Sequence, residues 1–423
     1  MNFKKTMLPN GLRVITVPVG GNPSVIVLVT VETGSNYESK SENGLAHFLE
    51  HMCFKGTVNR PGVSDVVKEL EGLGAQNNAF TVNESTNYYA RGARKHFSKM
   101  FEIVSDLYLN PTLPVPDIEK EKGVILEEIN MYEDLPQRKV WDVLSIVMYG
   151  DVPAGRSILG SKENIKKFTR PDFVNYRNKH YVASKTIIVV AGDVEEQMVL
   201  KEAKKYFRNI PSGKRVSKPA VIEKQRLPQL LTHKKKTDQT HMVMAFRTYG
   251  ADDKRVPTLS VLAEILGGGL SSRLFVKLRD EMGTSYYVHA GNYECTDHGA
   301  FYIATGINVS RTREVVKVLL DECKKIIKVL VPETELQKAK EHLIGALYMG
   351  LETTDSIAEF YASQEVNTGK LKNPHELEKM IRRVTARDVM KIAKEIFRDN
   401  RLNLAIVGNI DDGSGVKKAL SLK

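Results

Sequence analysis

Two histidines and a glutamate in the run His47-Phe48-Leu49-Glu50-His51 have the spacing of a helical metal site. On a helix at about 100° per residue, Leu45, Phe48, Leu49 and Met52 form one apolar stripe, while His47, Glu50 and His51 fall opposite it within an arc of roughly 100°. Imidazoles at i and i+4 stack one turn apart and can take two corners of a zinc tetrahedron. The carboxylate between them reaches the same ion poorly. It can instead hold the water that an open catalytic zinc carries and accept its proton as a general base. The same five residues also suit an ordinary amphipathic helix with two His and a Glu on its solvated face, so the reading turns on a third ligand.

That ligand is usually a carboxylate, and the segment from Asp117 to Tyr132 offers one. Asp117 after Pro116 suits a helix start, and Ile118, Ile125, Ile129 and Tyr132 recur at helical spacing. Glu121 and Glu128 lie beside this stripe, nearly eclipsed, whereas Glu127 points away. A carboxylate adjoining an apolar stripe needs a partner, because an unpaired buried charge is costly. Glu128 is the predicted third ligand, against the competing reading of an ion pair with a Lys or Arg. Glu121 is better placed to steady a ligand than to be one.

The elements that must hold these residues follow from local pattern. Asn10-Gly11 feeds a strand over 12–17, a more apolar strand spans 25–32, and the metal helix follows. A helix over 65–73 ends near Gly74, and strands fill 75–81 and 86–91. Helices are expected over 96–109, 140–149, 171–180 and 195–207, a buried strand over 186–192, and a loop from Gly155 to Gly160. Pro211 to Pro219 has the composition of a linker. At 423 residues the chain is too long for one core, which gives domains over 1–212 and 229–423 joined by 213–228. Strands over 241–246 and 300–307 and helices over 256–266, 311–329, 333–350 and 386–396 fill the second half. Val189-Val190-Ala191-Gly192-Asp193-Val194-Glu195-Glu196 is echoed by Ala405-Ile406-Val407-Gly408-Asn409-Ile410-Asp411-Asp412, the mark of an internal duplication. The second copy has lost the metal residues. Its helix runs without a His into Gly267-Gly268-Gly269-Leu270, read as a flexible loop because no Walker lysine or dinucleotide fingerprint accompanies the glycines.

The order His-x-x-Glu-His inverts the commoner His-Glu-x-x-His and is the inverzincin signature. With Glu128 downstream, it resembles the pitrilysin, insulysin and mitochondrial processing peptidase family of zinc endopeptidases. The resemblance extends through Phe54-Lys55-Gly56-Thr57, Asn78-Ala79-Phe80-Thr81 with Tyr88-Tyr89, and Gly155-Arg156-Ser157-Ile158-Leu159-Gly160, and so covers most of the chain. It implies one zinc per chain on His47, His51 and Glu128, with Glu50 activating water and Glu121 supporting a ligand. It also implies an α+β fold of two tandem homologous α/β-sandwich domains, each a mostly antiparallel sheet flanked by helices. In the family the strand around Asn78, Ala79 and Phe80 is an edge that pairs with the substrate backbone, a mode suited to extended peptides of many sequences. Leu278-Arg279-Asp280-Glu281-Met282-Gly283-Thr284-Ser285-Tyr286-Tyr287-Val288 is similar to the family segment whose Arg and Tyr reach the active site, which points to Arg279 and Tyr286, with Tyr287 the neighbouring alternative. An Arg can hold a substrate carbonyl and a Tyr hydroxyl can stabilise an oxyanion. Because one chain carries a single copy of each half-site, the resemblance implies a homodimer enclosing a clam-like chamber.

Composition narrows the alternatives. Lys and Arg number 62 against 51 Asp and Glu, a net charge of +11, which raises a nucleic-acid or anionic-surface binder as a rival. Basic runs such as His233-Lys234-Lys235-Lys236 and Lys166-Lys167 are scattered and lack a recognisable nucleic-acid motif, so they read as solvated faces. A non-catalytic scaffold or partner subunit of the same fold would predict a broken zinc motif, and this one is complete. Three cysteines without paired spacing read as reduced core thiols. No stretch of about 18 apolar residues suggests a membrane span and no apolar run follows Lys4-Lys5, so a cytoplasmic peptide hydrolase without nucleic-acid or membrane partners is expected.

Overall fold

The computed structural model describes residues 2–410 and 414–422; Asp411 and Asp412, which close the sequence echo, lie outside them. Strands run β1 Lys4–Met7, β2 Arg13–Pro18, β3 Ser24–Val31, β4 Gln76–Thr81, β5 Thr86–Ala93, β6 Thr186–Gly192, β7 Gln229–Lys234, β8 Gln239–Thr248, β9 Ser285–Glu294, β10 Gly299–Asn308 and β11 Leu402–Gly408. The first half carries helices α1 Leu45–Cys53, α2 Asp65–Gly72, α3 Phe97–Leu109, α4 Val115–Asp134, α5 Pro136–Tyr149, α6 Lys162–Lys167, α7 Arg170–His180 and α8 Glu196–Phe207. The second carries α9 Val256–Gly267, a short α10 Arg273–Phe275 running on into a π-helical turn Val276–Glu281, α11 Thr312–Lys328, α12 Glu333–Met349, α13 Thr354–Thr368, α14 Pro374–Arg382 and α15 Ala386–Ile396. No described helix is long and apolar enough to cross a membrane.

The two sheets share one strand plan. The first is ordered β1-β2-β6-β3-β5-β4 and the second β7-β11-β8-β10-β9. In each, one pair is parallel, β2 with β6 and β7 with β11. The other neighbours run antiparallel. Set β1 aside and the orders coincide strand for strand, which is the duplication expected from the echo between β6 and β11. The sequence reading left β1, β7 and β9 unassigned. Two of these are edge strands in which lysines, Lys4, Lys5 and Lys234, replace the apolar alternation that marks a strand, and such lysines discourage edge-to-edge pairing.

Each sheet is covered on both faces, and one cover comes from the other half of the sequence. Among the described residues, one unit comprises Met1–Ile129, Ser157–Pro219 and Met349–Asn373, and the other Asn130–Arg156, Ala220–Tyr348 and Pro374–Lys423. The chain passes between units at Pro219 and Ala220, within the expected linker 213–228, and α5 and α13 each belong to the unit whose strands come from the other half of the sequence. In the first unit α1 and α3 pack on one face, where Phe48, Leu49, Met52, Phe101 and Val104 join Val25, Val27, Val29 and Val31 in one core, and α13 lies on the other face across β3 and β6. Strands β3 and β6 are therefore apolar on both sides, as buried central strands are. In the second unit α9, α11 and α15 take one face. Helix α5 covers the other, with Val140, Val143, Leu144 and Met148 against Val243, Ala245, Ala405 and Val407.

Helix α13 is also tied to its sheet by charge. Buried Arg13 on β2 reaches Glu32 at 2.6 Å and Glu365 of α13 at 3.2 Å, and Lys5 of β1 reaches Glu365 at 2.7 Å. Removing one member of a buried charge network leaves the others uncompensated. Glu365→Ala is expected to destabilise the protein by about 3 kcal/mol, measured by denaturant unfolding, whereas a change at the exposed pair Lys277–Glu281 is expected to stay within about 0.5 kcal/mol.

Candidate metal centre

The start of α1 is fixed before its side chains are considered. Gly44, at φ 100°, is its N-cap, and the buried Glu38 carboxylate accepts from the backbone N–H groups of Gly44 at 2.9 Å and Ala46 at 2.6 Å and from Asn43 Nδ2 at 3.2 Å. A carboxylate there satisfies donors that a helix leaves orphaned and lies favourably with its dipole. Burial nevertheless pushes the Glu38 pKa up to about 7, against the pull of those hydrogen bonds. The loop from Ser157 to Gly160, which the sequence left without a role, braces the same end. Asn43 Nδ2 also donates to the Ser157 carbonyl at 2.9 Å, and a Cβ on Gly44 would stand 2.8 Å from Gly160 Cα, so the two backbones meet where only glycine fits.

Helix α1 buries Leu45, Phe48, Leu49 and Met52 and turns His47, Glu50 and His51 the other way. Helix α4 buries Ile118, Ile125 and Ile129, with Glu121 and Glu128 beside them, and Glu127 is exposed. The two helices bring one ligand atom each from His47, His51 and Glu128 within 4.8 Å of one another. Nε2 of His47 and Nε2 of His51 each lie 3.7 Å from Glu128 Oε2. That is too long for a hydrogen bond, yet close to the roughly 3.4 Å edge of a tetrahedron whose zinc bonds are about 2.1 Å. Nδ1 of His47 is buried without a hydrogen-bond partner, so Nε2, toward Glu128, is the nitrogen available to a ligand. On His51, Nδ1 meets Glu121 Oε1 at 3.0 Å, and Lys55 Nζ holds the other Glu121 oxygen at 2.7 Å. A carboxylate on Nδ1 keeps the proton there and leaves Nε2 as the lone pair facing Glu128. Two imidazole nitrogens and a carboxylate oxygen form the donor set of a catalytic zinc, so the residues present fit that ion.

The electrostatics agree. Burial, helped by the charge of His51, drives the His47 pKa down to about 3, so this ring is neutral and able to donate its lone pair. Burial alone would lower His51 as well, but the hydrogen bond to Glu121 and the charges of Glu50, Glu128 and Glu121 carry it upward. Glu50 and Glu128 are raised, mainly by burial, while Glu121, despite burial, is held low by His51 and Lys55. Thr81 Oγ1, at the end of β4, donates to Glu50 Oε2 at 2.5 Å. Lys55 and Thr81 escaped the sequence reading. Lys55 stands four residues after His51, a helical spacing that could have suggested it, whereas only the folded sheet brings Thr81 to α1.

Residues 13–162 match the family model described as insulinase (peptidase family M16), and residues 167–343 match that of the peptidase M16 inactive domain. An uncharacterized zinc protease of Bacillus subtilis (strain 168) is 31% identical over 402 residues, which cover 94% of this chain and 96% of that one. The chain belongs to peptidase family M16. Another relative, an uncharacterized zinc protease of Mycobacterium leprae (strain TN), is 31% identical over 407 residues, covering 96% of this chain and 91% of that one. Among solved structures, a protease from Helicobacter pylori matches with a TM-score of 0.89 at 23% identity over 96% of this chain and 99% of that chain. A peptidase M16 inactive domain from Pseudomonas fluorescens matches with a TM-score of 0.89 at 18% identity, over 97% and 99% respectively. At these identities both speak for the fold.

The remaining candidates of this M16 chain lie as follows. Asn78, Ala79 and Phe80 are on β4, which ends the first sheet. Arg279 and Tyr286 belong to the second unit, on the π-helical turn and at the start of the edge strand β9. Arg279 Nη1 donates to the Tyr286 carbonyl at 3.1 Å, and the Tyr286 side chain is 67% exposed. Tyr287 instead pairs its hydroxyl with His241 Nδ1 at 3.1 Å and is pushed up to about 12 by burial, which makes it the poorer candidate of the two.

Elemental analysis of protein purified with zinc is expected to give about one zinc per chain. His51→Ala and Glu128→Gln should lose it and Glu50→Gln should keep it. Glu121→Gln, which puts a neutral amide in place of the carboxylate on His51 Nδ1, should weaken binding by about 10–100-fold in a chelator competition.

Proposed function

We propose that the chain is a zinc-dependent endopeptidase acting on short or unfolded peptides. The observation that carries this reading is the meeting of His47, His51 and Glu128 about one point, with Glu50 close enough for the charges of His51 and Glu128 to act on it. The relatives' description as zinc proteases supports the choice of ion. Zinc, when bound, supplies Lewis-acid polarisation of a carbonyl and acidifies a water. Glu50 takes the proton of the attacking water and returns it to the leaving amine, the part of a general base placed within reach of both. Thr81 holds the Glu50 carboxylate in one rotamer while it does so. The free edge of β4 binds an extended substrate backbone at Asn78, Ala79 and Phe80, which supports action on chains without their own fold. Arg279 holds the substrate carbonyl and Tyr286 serves the oxyanion, and two copies of the chain supply each other's half-sites. A mixed dimer of Glu50→Gln and Tyr286→Phe chains is then expected to recover part of the activity, and none would return if each site were self-sufficient.

Peptide turnover with zinc present, abolished by a chelator and lowered about 10²–10⁴-fold by Glu50→Gln in metal-loaded protein, is the expected result. Near-normal turnover of that variant would overturn the assignment. Glu50 must be ionised to act, so activity falls as pH drops through its raised pKa. Thr81→Val removes a hydrogen bond that favours the ionised form, and the acidic limb of the kcat/KM profile should move up by about one pH unit.

A further inference from the structure

Helices α11 and α15 cover the same face of the second sheet, and the outer side of each carries a line of cations. On α15, Val389, Ile392, Ala393 and Ile396 are buried, and Arg387, Lys391 and Lys394 stand opposite them within an arc of about 60°. Arg398, just past the helix, extends the line, since its Nε donates to the Lys394 carbonyl at 3.0 Å. All four border one shallow depression of about 650 Å³. On α11, Arg313, Lys317, Lys324 and Lys328 form a second line about 22 Å long. Lys417 and Lys418 add to it from the helical turn Ser414–Ala419, which packs on α11.

Among the described residues, none of these cations has a carboxylate within ion-pair distance, because the acids of the same helices are engaged elsewhere. Glu314 is held by Arg311, Glu322 by Lys325 at 2.6 Å and Glu395 by Arg255 at 2.6 Å. Asp388 accepts from Thr385 in the capping box that starts α15, which leaves Asp321 as the one unengaged acid of the two helices. The neighbouring α14 shows the usual solution for a solvated helix, with Arg382 reaching Glu378 at 2.7 Å and Glu341 at 2.6 Å. Like charges three or four residues apart work against a helix. Two such lines side by side carry that cost with no carboxylate of the chain to offset it, which calls for negative charge from outside.

We propose that the outer side of α11 and α15 docks the protein on an anionic phospholipid bilayer. Clusters of Lys and Arg on a helix are attracted to the negative potential of such a surface, and each cation near it adds about fivefold to the affinity. Two lines on packed helices lie about 10 Å apart and make a broad face, suited to an array of headgroups. Neither helix contains an aromatic residue or a His on which a nucleic-acid base could stack. Val329 and Leu330, exposed just beyond Lys328, give the face an apolar tip that can enter the headgroup region. The attachment is peripheral, in keeping with described helices that are too short or too polar to cross a membrane. The expectation of no membrane partner rests on consecutive basic runs, and cations one helical turn apart form no such run.

Cosedimentation of the full zinc-loaded chain with phosphatidylcholine vesicles, with and without added phosphatidylglycerol, tests this. Binding is expected only where phosphatidylglycerol is present, and it should weaken as salt is raised and the screening length falls below about 8 Å. Changing Arg387, Lys391 and Lys394 together to Gln should lower partitioning about 100-fold, and changing them to Glu should abolish it, with zinc content and circular dichroism unchanged. If the Glu version does not fold, the Gln version decides. Lys166→Glu with Lys167→Glu, which lowers the net charge away from these helices, should leave binding within about twofold. Failure of the wild type to sediment with phosphatidylglycerol vesicles, or an equal loss from the Lys166 and Lys167 changes, would overturn the docking face. So would a single-stranded oligonucleotide that displaces the protein from the vesicles at equal charge concentration, which would give the face to nucleic acid instead.

Discussion

Glu50, Glu121 and Glu128 share a small, partly buried volume with two imidazoles, and so many acids hold together there only when positive charge is present among them. Lys55 provides one such charge through Glu121. His51 is pulled toward protonation by the same surroundings, and a divalent ion at the point where both Nε2 atoms face Glu128 satisfies that demand without a proton. The chain Lys55–Glu121–His51 therefore does two things at once: it keeps a proton on Nδ1 and aims the opposite nitrogen.

Three ligand atoms from two helices can meet about one point only if those helices stay fixed. Much of the surrounding structure serves that end. Glu38 and the Ser157–Gly160 loop pin the first turn of α1, its apolar stripe presses on β3 and α3, and the isoleucines of α4 seat the helix that carries Glu128. Strand β4 then brings Thr81 to Glu50 from the sheet side, so the hydroxyl that holds Glu50 and the edge of the first sheet belong to one continuous piece of backbone.

Much of this was legible in the sequence because it is local. Helix periodicity placed His47, Glu50 and His51 on one side of α1 and Glu128 on the correct side of α4, and the apolar runs gave β3 and β6 nearly to the residue. What was not legible depends on contacts distant in the chain. Glu38 looks like any loop glutamate until two N–H groups of α1 are seen to converge on it. Strand β9 hides its alternation among polar and aromatic residues at an edge. The partner of α5 could not be read, since an amphipathic stripe states that a helix is covered but not by which sheet, and α13 was not expected as a helix at all.

The exchange of these two helices bears on how the chain is made. The first sheet is complete in sequence at Gly192, yet the helix that closes its second face arrives only with Thr354–Thr368. During synthesis at the ribosome, the apolar outer side of β3 and β6 stays without this helix while more than a hundred further residues emerge, so the first sheet cannot finish folding before most of the second half has been made.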